Sequence, residues 1–234
     1  MGRNQQRGFT LLEMVVVLAM ILILAALAGL ALVRERPDGT LRGAWVELES
    51  TFRLARQEAL ARGVNVAVLV FPEHGEDAEH RGRIVLLQDE PVTSGLPSFF
   101  DPAQDPNFAT FDPASSRATP NGQILDAVDL PRGVVVGPST GSGTATLPFP
   151  YDSIRTDVAC SFCGPDGGQR GAVVFDPKGR TTFFDVDGTT IRRVLTTAGG
   201  GSLTIHSLRL EEMGSDRRVT LVVTSPQGLV RAIQ

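Results

Sequence analysis

The chain is poor in cysteine, in net positive charge and in paired metal ligands, and each shortage removes a class of function. Its only cysteines, Cys160 and Cys163, form a lone C-x-x-C. No second such pair and no histidine pair at metal spacing follows, so a four-ligand zinc site lacks half its donors. The βαβ setting of a thioredoxin-like redox site is missing as well. On residues alone the motif stays open between half a zinc site, a redox pair and a small disulfide loop. The formal net charge is −4, which argues against general nucleic-acid affinity. The local basic residues Arg192-Arg193, Arg217-Arg218 and Arg231 read as solvated strand or loop positions. After residue 63 no crossover-helix pattern appears, so any sheet is expected to be antiparallel.

Long apolar runs are also scarce, but there is one. A basic leader, MGRNQQRG, runs into Phe9-Thr10-Leu11-Leu12-Glu13 and then into an uncharged stretch from Met14 to Val33. As a helix at about 1.5 Å per residue, that stretch covers roughly the 30 Å of a hydrocarbon core. Glu13 breaks the pattern, because a carboxylate in such a segment costs about 3 kcal/mol unless something offsets it. A secretory signal peptide cleaved at Ala26-Leu27-Ala28 and a plain single-span anchor both leave Glu13 without a role. Arg3 and Arg7 precede the span while Arg34, Arg36 and Arg42 follow it, so charge does not set its orientation.

Pro37-Asp38-Gly39 punctuates the chain and predicts a kink or break, with Asp38 or Thr40 as cap of a new helix. Leu41, Trp45, Leu48, Phe52, Ala55 and Ala59 then recur at helical spacing, with Glu47, Glu49, Arg53, Arg56 and Glu58 on the other face. This predicts an amphipathic helix over 38–63 whose apolar stripe packs on the protein's own sheet. Strands are expected at 64–71, 83–88, 133–136, 171–175, 181–186, 203–210, 219–224 and 229–232. Asp176-Pro177-Lys178-Gly179 and Ser225-Pro226-Gln227-Gly228 read as turns.

Several segments invite chemistry. Residues 90–123 are proline-rich, repeat the tripeptide Phe-Asp-Pro at 100–102 and 111–113, and read as a long insertion whose phenylalanines pack down on the domain or face a neighbour. Gly137-Pro138-Ser139-Thr140-Gly141 matches a serine-hydrolase elbow, with Asp185 and His206 available as partners, but a Gly/Ser-rich connection follows where a helix is required. Residues 73–80 are rich in Glu, Asp and His and read as a solvated loop. Asp185-Val186-Asp187-Gly188 begins like a calcium loop yet reads as a β-turn.

The order Gly8, Phe9, Thr10, Leu11, Leu12, Glu13 resembles the processing site of type IV prepilins and type II secretion pseudopilins. The resemblance implies that prepilin peptidase cuts between Gly8 and Phe9, that residues 1–8 leave, that Phe9 is N-methylated, and that 9–33 stays as a transmembrane helix. Glu13 would then neutralise the terminal amine of a neighbouring subunit during assembly. Residues 171–180 look like the strand-turn-strand element of the GspH/FimT branch, and residues 219–231 resemble its C-terminal hairpin. The expected fold is α+β: a long N-terminal helix, membrane-spanning in its first half and amphipathic in its second, packed on an antiparallel β-sheet head over 64–234.

The function implied is a minor pseudopilin of a type II secretion pseudopilus, single-pass in the inner membrane with a periplasmic head. Its partners would be other pilin-like subunits, prepilin peptidase and the assembly platform, with no catalytic role and no cofactor. A FimT/FimU-like minor pilin of a type IV pilus is the alternative within the family. A secreted β-domain or a hydrolase is the alternative outside it. In a periplasmic head, Cys160 and Cys163 are expected to form a local disulfide.

Overall fold

The computed structural model describes residues 11–33, 37–89, 97–115, 122–138, 146–164, 170–195, 199–215 and 217–233. The chain divides into two compact units, residues 1–36 and 37–234. The described residues of the first form one helix, α1 (Leu11–Val33).

The second unit begins with α2 (Pro37–Arg62). Proline suits the first turn, where its missing N–H has no partner to lose, so Asp38 lies inside the helix and is not its cap. The helix ends at Gly63, which adopts φ +68° and returns its N–H to the Ala59 carbonyl at 3.0 Å. Leu41, Leu48, Phe52, Ala55 and Ala59 are buried as their spacing predicts. Ala44 and Thr51 join them, and Trp45 is only half-buried.

Among the described residues ten strands form two antiparallel sheets. They are β1 (Asn65–Asp77), β2 (His80–Asp89), β3 (Gly122–Asp129), β4 (Val134–Val136), β5 (Gly171–Phe175), β6 (Thr181–Asp187), β7 (Thr190–Val194), β8 (Gly200–Ser207), β9 (Arg218–Thr224) and β10 (Val230–Ile233). The larger sheet has the order β3-β2-β1-β5-β6-β7 and the smaller β10-β9-β8-β4. A short helix, α3 (Leu208–Glu212), follows β8 where strand was expected to continue to Leu210.

The main core lies where α2 and the inner faces of both sheets meet. Val66, Val68 and Val70 of β1, Ile84 and Leu86 of β2, and Leu221 and Val223 of β9 point into it. Successive strand residues face opposite ways, so Ala67, Leu69, Phe71, Val85 and Leu87 emerge on the far side of the larger sheet. There they are covered by Phe99, Phe100, Phe108 and Phe111, all buried. The continuous apolar runs of β1 and β2 thus reflect a sheet covered on both faces.

That cover comes from the proline-rich insertion, whose described part, residues 97–115, is a folded cap. The Phe-Asp-Pro repeat has a physical meaning here. In each copy the phenylalanine is buried while the aspartate carboxylate accepts a backbone N–H two residues on, Ala103 from Asp101 and Ala114 from Asp112, both at 2.9 Å. Phe175-Asp176-Pro177 repeats the device between β5 and β6, with Lys178 N–H on Asp176 at 2.8 Å.

Helix α2 packs on antiparallel sheet as expected. Three expectations are corrected. The described residues form two sheets in place of one. Strands β3 and β7 were not anticipated, and β3 takes in the last two residues of the supposed insertion. The acidic stretch 73–80 is no loop: Gly75 pairs with Arg81 and Asp77 with His80, which extends the β1–β2 hairpin to a tight tip.

Candidate functional site

Helix α1 is apolar all round. Among its described side chains, Leu11 to Ala26, Glu13 is the only ionisable one and sits in the first turn, where a negative charge complements the helix dipole. The large side chains are exposed, Leu11 at 84% and Leu24 at 65%. A helix with no polar face gains nothing from water on any side, so it requires an apolar surrounding. Among the described residues no helix is long and apolar enough to cross a membrane, and the described side chains of α1 stop at Ala26. Gly8 and Phe9 lie outside the described residues.

Cys160 and Cys163 are joined as a disulfide, with Cα atoms 5.3 Å apart. Their loop runs beside β8: Cys160 bridges Leu203, and Ser161 N–H donates to the Ser202 carbonyl at 2.9 Å. It thereby takes the position next to β8 that the short strand β4 leaves vacant. Phe162 within the loop is buried with its ring 5.3 Å from that of Phe183. Gly171 and Gly201 make room for it, since a Cβ on Gly171 would stand 2.6 Å from the Phe162 carbonyl oxygen and one on Gly201 2.8 Å from the Phe162 ring.

Of the hydrolase residues, Ser139 lies outside the described residues, and Asp185 and His206 stand in different sheets. The buried His206 has its Nδ1 2.7 Å from the Gly137 carbonyl and its Nε2 3.1 Å from the Glu211 carboxylate. Asp185, in the other sheet, is engaged by Arg192 through two hydrogen bonds of 3.0 and 2.9 Å. Asp187 also binds Arg192 and closes the β6–β7 hairpin, so the calcium-like stretch is a turn. At the β1–β2 tip, Asp77 and Glu79 face Arg132 at 3.7 and 3.1 Å.

The structure adds residues that sequence reasoning missed. Half-buried Arg170 donates from one guanidinium nitrogen to the carbonyls of Phe108, Ala109 and Phe111 at 3.0 to 3.2 Å, and stands 5.2 Å from the centre of the Phe71 ring. Burial pulls its guanidinium below the ordinary arginine value. The fully buried Asp89 accepts the Ser98 hydroxyl at 2.9 Å and the Phe99 N–H at 3.2 Å. Together they fasten the cap at both ends.

Asp176 is fixed more tightly than a turn residue needs to be. Desolvation acts to raise its carboxyl, but the backbone N–H of Arg180, the Arg180 guanidinium and the Lys178 N–H outweigh it and hold the group below the usual carboxylate range.

An apolar helix with Glu13 in its first turn precedes a β-rich unit in the chain. Residues 3–29 match the family model described as the prokaryotic N-terminal methylation motif. That match supports a type IV pilin-like protein, processed by prepilin peptidase and assembled with other pilin subunits, in a family that is structural rather than enzymatic. No curated protein and no solved structure matches the chain.

Proposed function

We propose that the chain is a minor pseudopilin, a structural subunit that helps initiate or cap the pseudopilus of a type II secretion system. The observation that carries this reading is the placement of Gly8, Phe9 and Glu13 within the matched segment, with Glu13 in the first turn of an exposed apolar helix. Cleavage between Gly8 and Phe9 removes a leader carrying Arg3 and Arg7 and takes the net charge from −4 to −6. Residues 9–33 then hold the protein in the inner membrane, with the head in the periplasm, where the Cys160–Cys163 disulfide forms and persists. During assembly Glu13 offsets the charge of a neighbour's terminal amine, which removes the cost of about 3 kcal/mol that an isolated buried carboxylate carries. The head's two hairpin elements, 171–180 and 219–231, support placement in the GspH/FimT branch.

The test is the N-terminus and intact mass of the protein recovered from membranes of cells with and without prepilin peptidase. The expected result is a peptidase-dependent, methylated Phe9. A start near Gly29, or an intact Met1 in both strains, would overturn the reading. Deletion then separates the two filament systems, with loss of secreted enzymes marking secretion and loss of twitching or DNA uptake marking a FimT/FimU-like pilin.

A further inference from the structure

The head carries opposite charge at its two ends. One end is a groove of about 350 Å³ between α2 and the β9–β10 hairpin, lined by Arg53, Arg56, Gln57, Leu229, Val230 and Arg231 together with Gly228. Among the described residues no carboxylate side chain lines it. Arg53 is engaged by Glu49 one helical turn back. Arg56 and Arg231 have no acidic partner among the described residues, and the Nε of Arg56 is buried without a hydrogen-bond partner there. Leu229 and Val230 add an apolar floor against which an incoming backbone can lie.

The other end is the tip of the β1–β2 hairpin, where Glu73, Glu76, Asp77 and Glu79 fall within seven residues. Arg132 answers Asp77 and Glu79, and Arg81 is half-buried in the hairpin. Glu73 projects to solvent, as does Glu76, whose carboxylate lies 3.8 Å from a ring nitrogen of His80. The two features are far apart on one molecule. Arg56 lies under Gly179 and Gly228, at the end of β5 that pairs with the start of β1, whereas the tip is at the far end of β1. Thirteen strand residues place roughly 40 Å between them.

We propose that the groove receives the acidic β1–β2 tip of a second copy of the chain, joining heads end to end. The occupant's carboxylates Glu73 and Glu76 meet Arg231 and Arg56, and arginine's fixed fork of donors suits such bidentate contacts. A phosphate polymer is the poorer fit, because the groove offers only two guanidiniums without an acidic partner among the described residues, on a chain of net charge −4. The contact uses different patches on the two molecules, so a head that offers its tip keeps its own groove free and the association propagates instead of closing as a dimer.

The test holds the full chain one copy per neutral-lipid nanodisc, which keeps apolar helices apart, and measures energy transfer between donor-labelled and acceptor-labelled populations at low salt. Transfer is expected, falling as salt rises, and Arg231→Glu weakens it about tenfold, as does the pair Glu73→Lys with Glu76→Lys. Mixing an Arg56→Glu, Arg231→Glu chain with a Glu73→Lys, Glu76→Lys chain restores it. Arg231 is exposed, so its variant keeps the unfolding midpoint read from Trp45 fluorescence. Absence of salt-sensitive transfer, an unchanged value for Arg231→Glu, or no recovery on mixing the reversed pair would overturn the proposal. So would stronger displacement by a short DNA duplex than by unlabelled chain, which would make the groove a phosphate site.

Discussion

If the cap over the larger sheet is part of the head's single core, replacing Phe100 by alanine destabilises the whole head and not merely the insertion. Phe100 is 1% exposed, stacks on Phe184 of β6 with ring centres 4.4 Å apart, and meets Phe108 at 5.2 Å and Phe99 at 5.7 Å. Removing a ring from such a site costs about 3–5 kcal/mol in lost transfer energy and residual cavity. In a domain of this size that lowers the melting midpoint by on the order of 10 °C. Trp45, the only tryptophan, is half-buried on α2 beside the other core, across the sheet from the cap. It therefore reports whether the loss is felt globally. Phe149, which is 88% exposed, supplies the control, and its alanine variant is expected to stay within about 0.5 kcal/mol. A Phe100→Ala midpoint in Trp45 fluorescence no lower than that of Phe149→Ala would refute the idea that cap and sheet unfold together.

Acid is expected to weaken the β5–β6 turn. The depressed Asp176 carboxyl stabilises the fold above its unfolded value of about 4, and that contribution is lost as pH falls through its lower folded value. Asp176→Asn is then about 1 kcal/mol less stable than the parent at pH 7, and the gap in urea midpoints closes below about pH 4. Gly228→Ala should cost more than 2 kcal/mol, because the residue adopts φ +65° and the new Cβ would stand 2.6 Å from the Gly179 carbonyl oxygen. Gly63→Ala, at a similar φ but with open space around it, should cost only about 1 kcal/mol, and thermal melts of the two variants make the comparison. Reducing the Cys160–Cys163 disulfide, or replacing both by serine, is expected to cost about 2 kcal/mol from loop-closure entropy alone. A melt in reductant matching that of the oxidised protein would count against it.

Much of this was legible in the sequence, for identifiable reasons. The face of α2 repeats at helical spacing over about five turns, and the strands β1, β2, β5, β6 and β9 are dense in β-branched and aromatic residues, so their local signals were strong. Strand β3 was missed because Gly-Gln-Ile-Leu-Asp-Ala-Val-Asp does not alternate cleanly: its register shifts between Leu86 and Leu87 of β2. Strand β7 is an edge whose Arg192 and Arg193 read as surface residues, and its pairing with β6 decides its structure. The acidic tip looked like a loop by composition, yet a hairpin needs only backbone pairing to carry such residues. The cap's grip on the sheet depends on Arg170 reaching carbonyls some 60 positions earlier, as in its bond to Ala109, and no local pattern encodes that. For the proposed processing segment the position is reversed: Gly8, Phe9 and Glu13 speak through sequence order, which the fold of the head does not repeat.

The junction at Gly63 has a mechanical consequence. Helix α2 hands the chain directly to β1, and β1 is hydrogen-bonded on both sides, to β2 and to β5. A pull transmitted through α2 therefore arrives in the middle of the larger sheet, where two ladders must yield together, whereas an attachment at an edge strand such as β7 would let pairs peel away one at a time. The load path enters the head where it is hardest to tear.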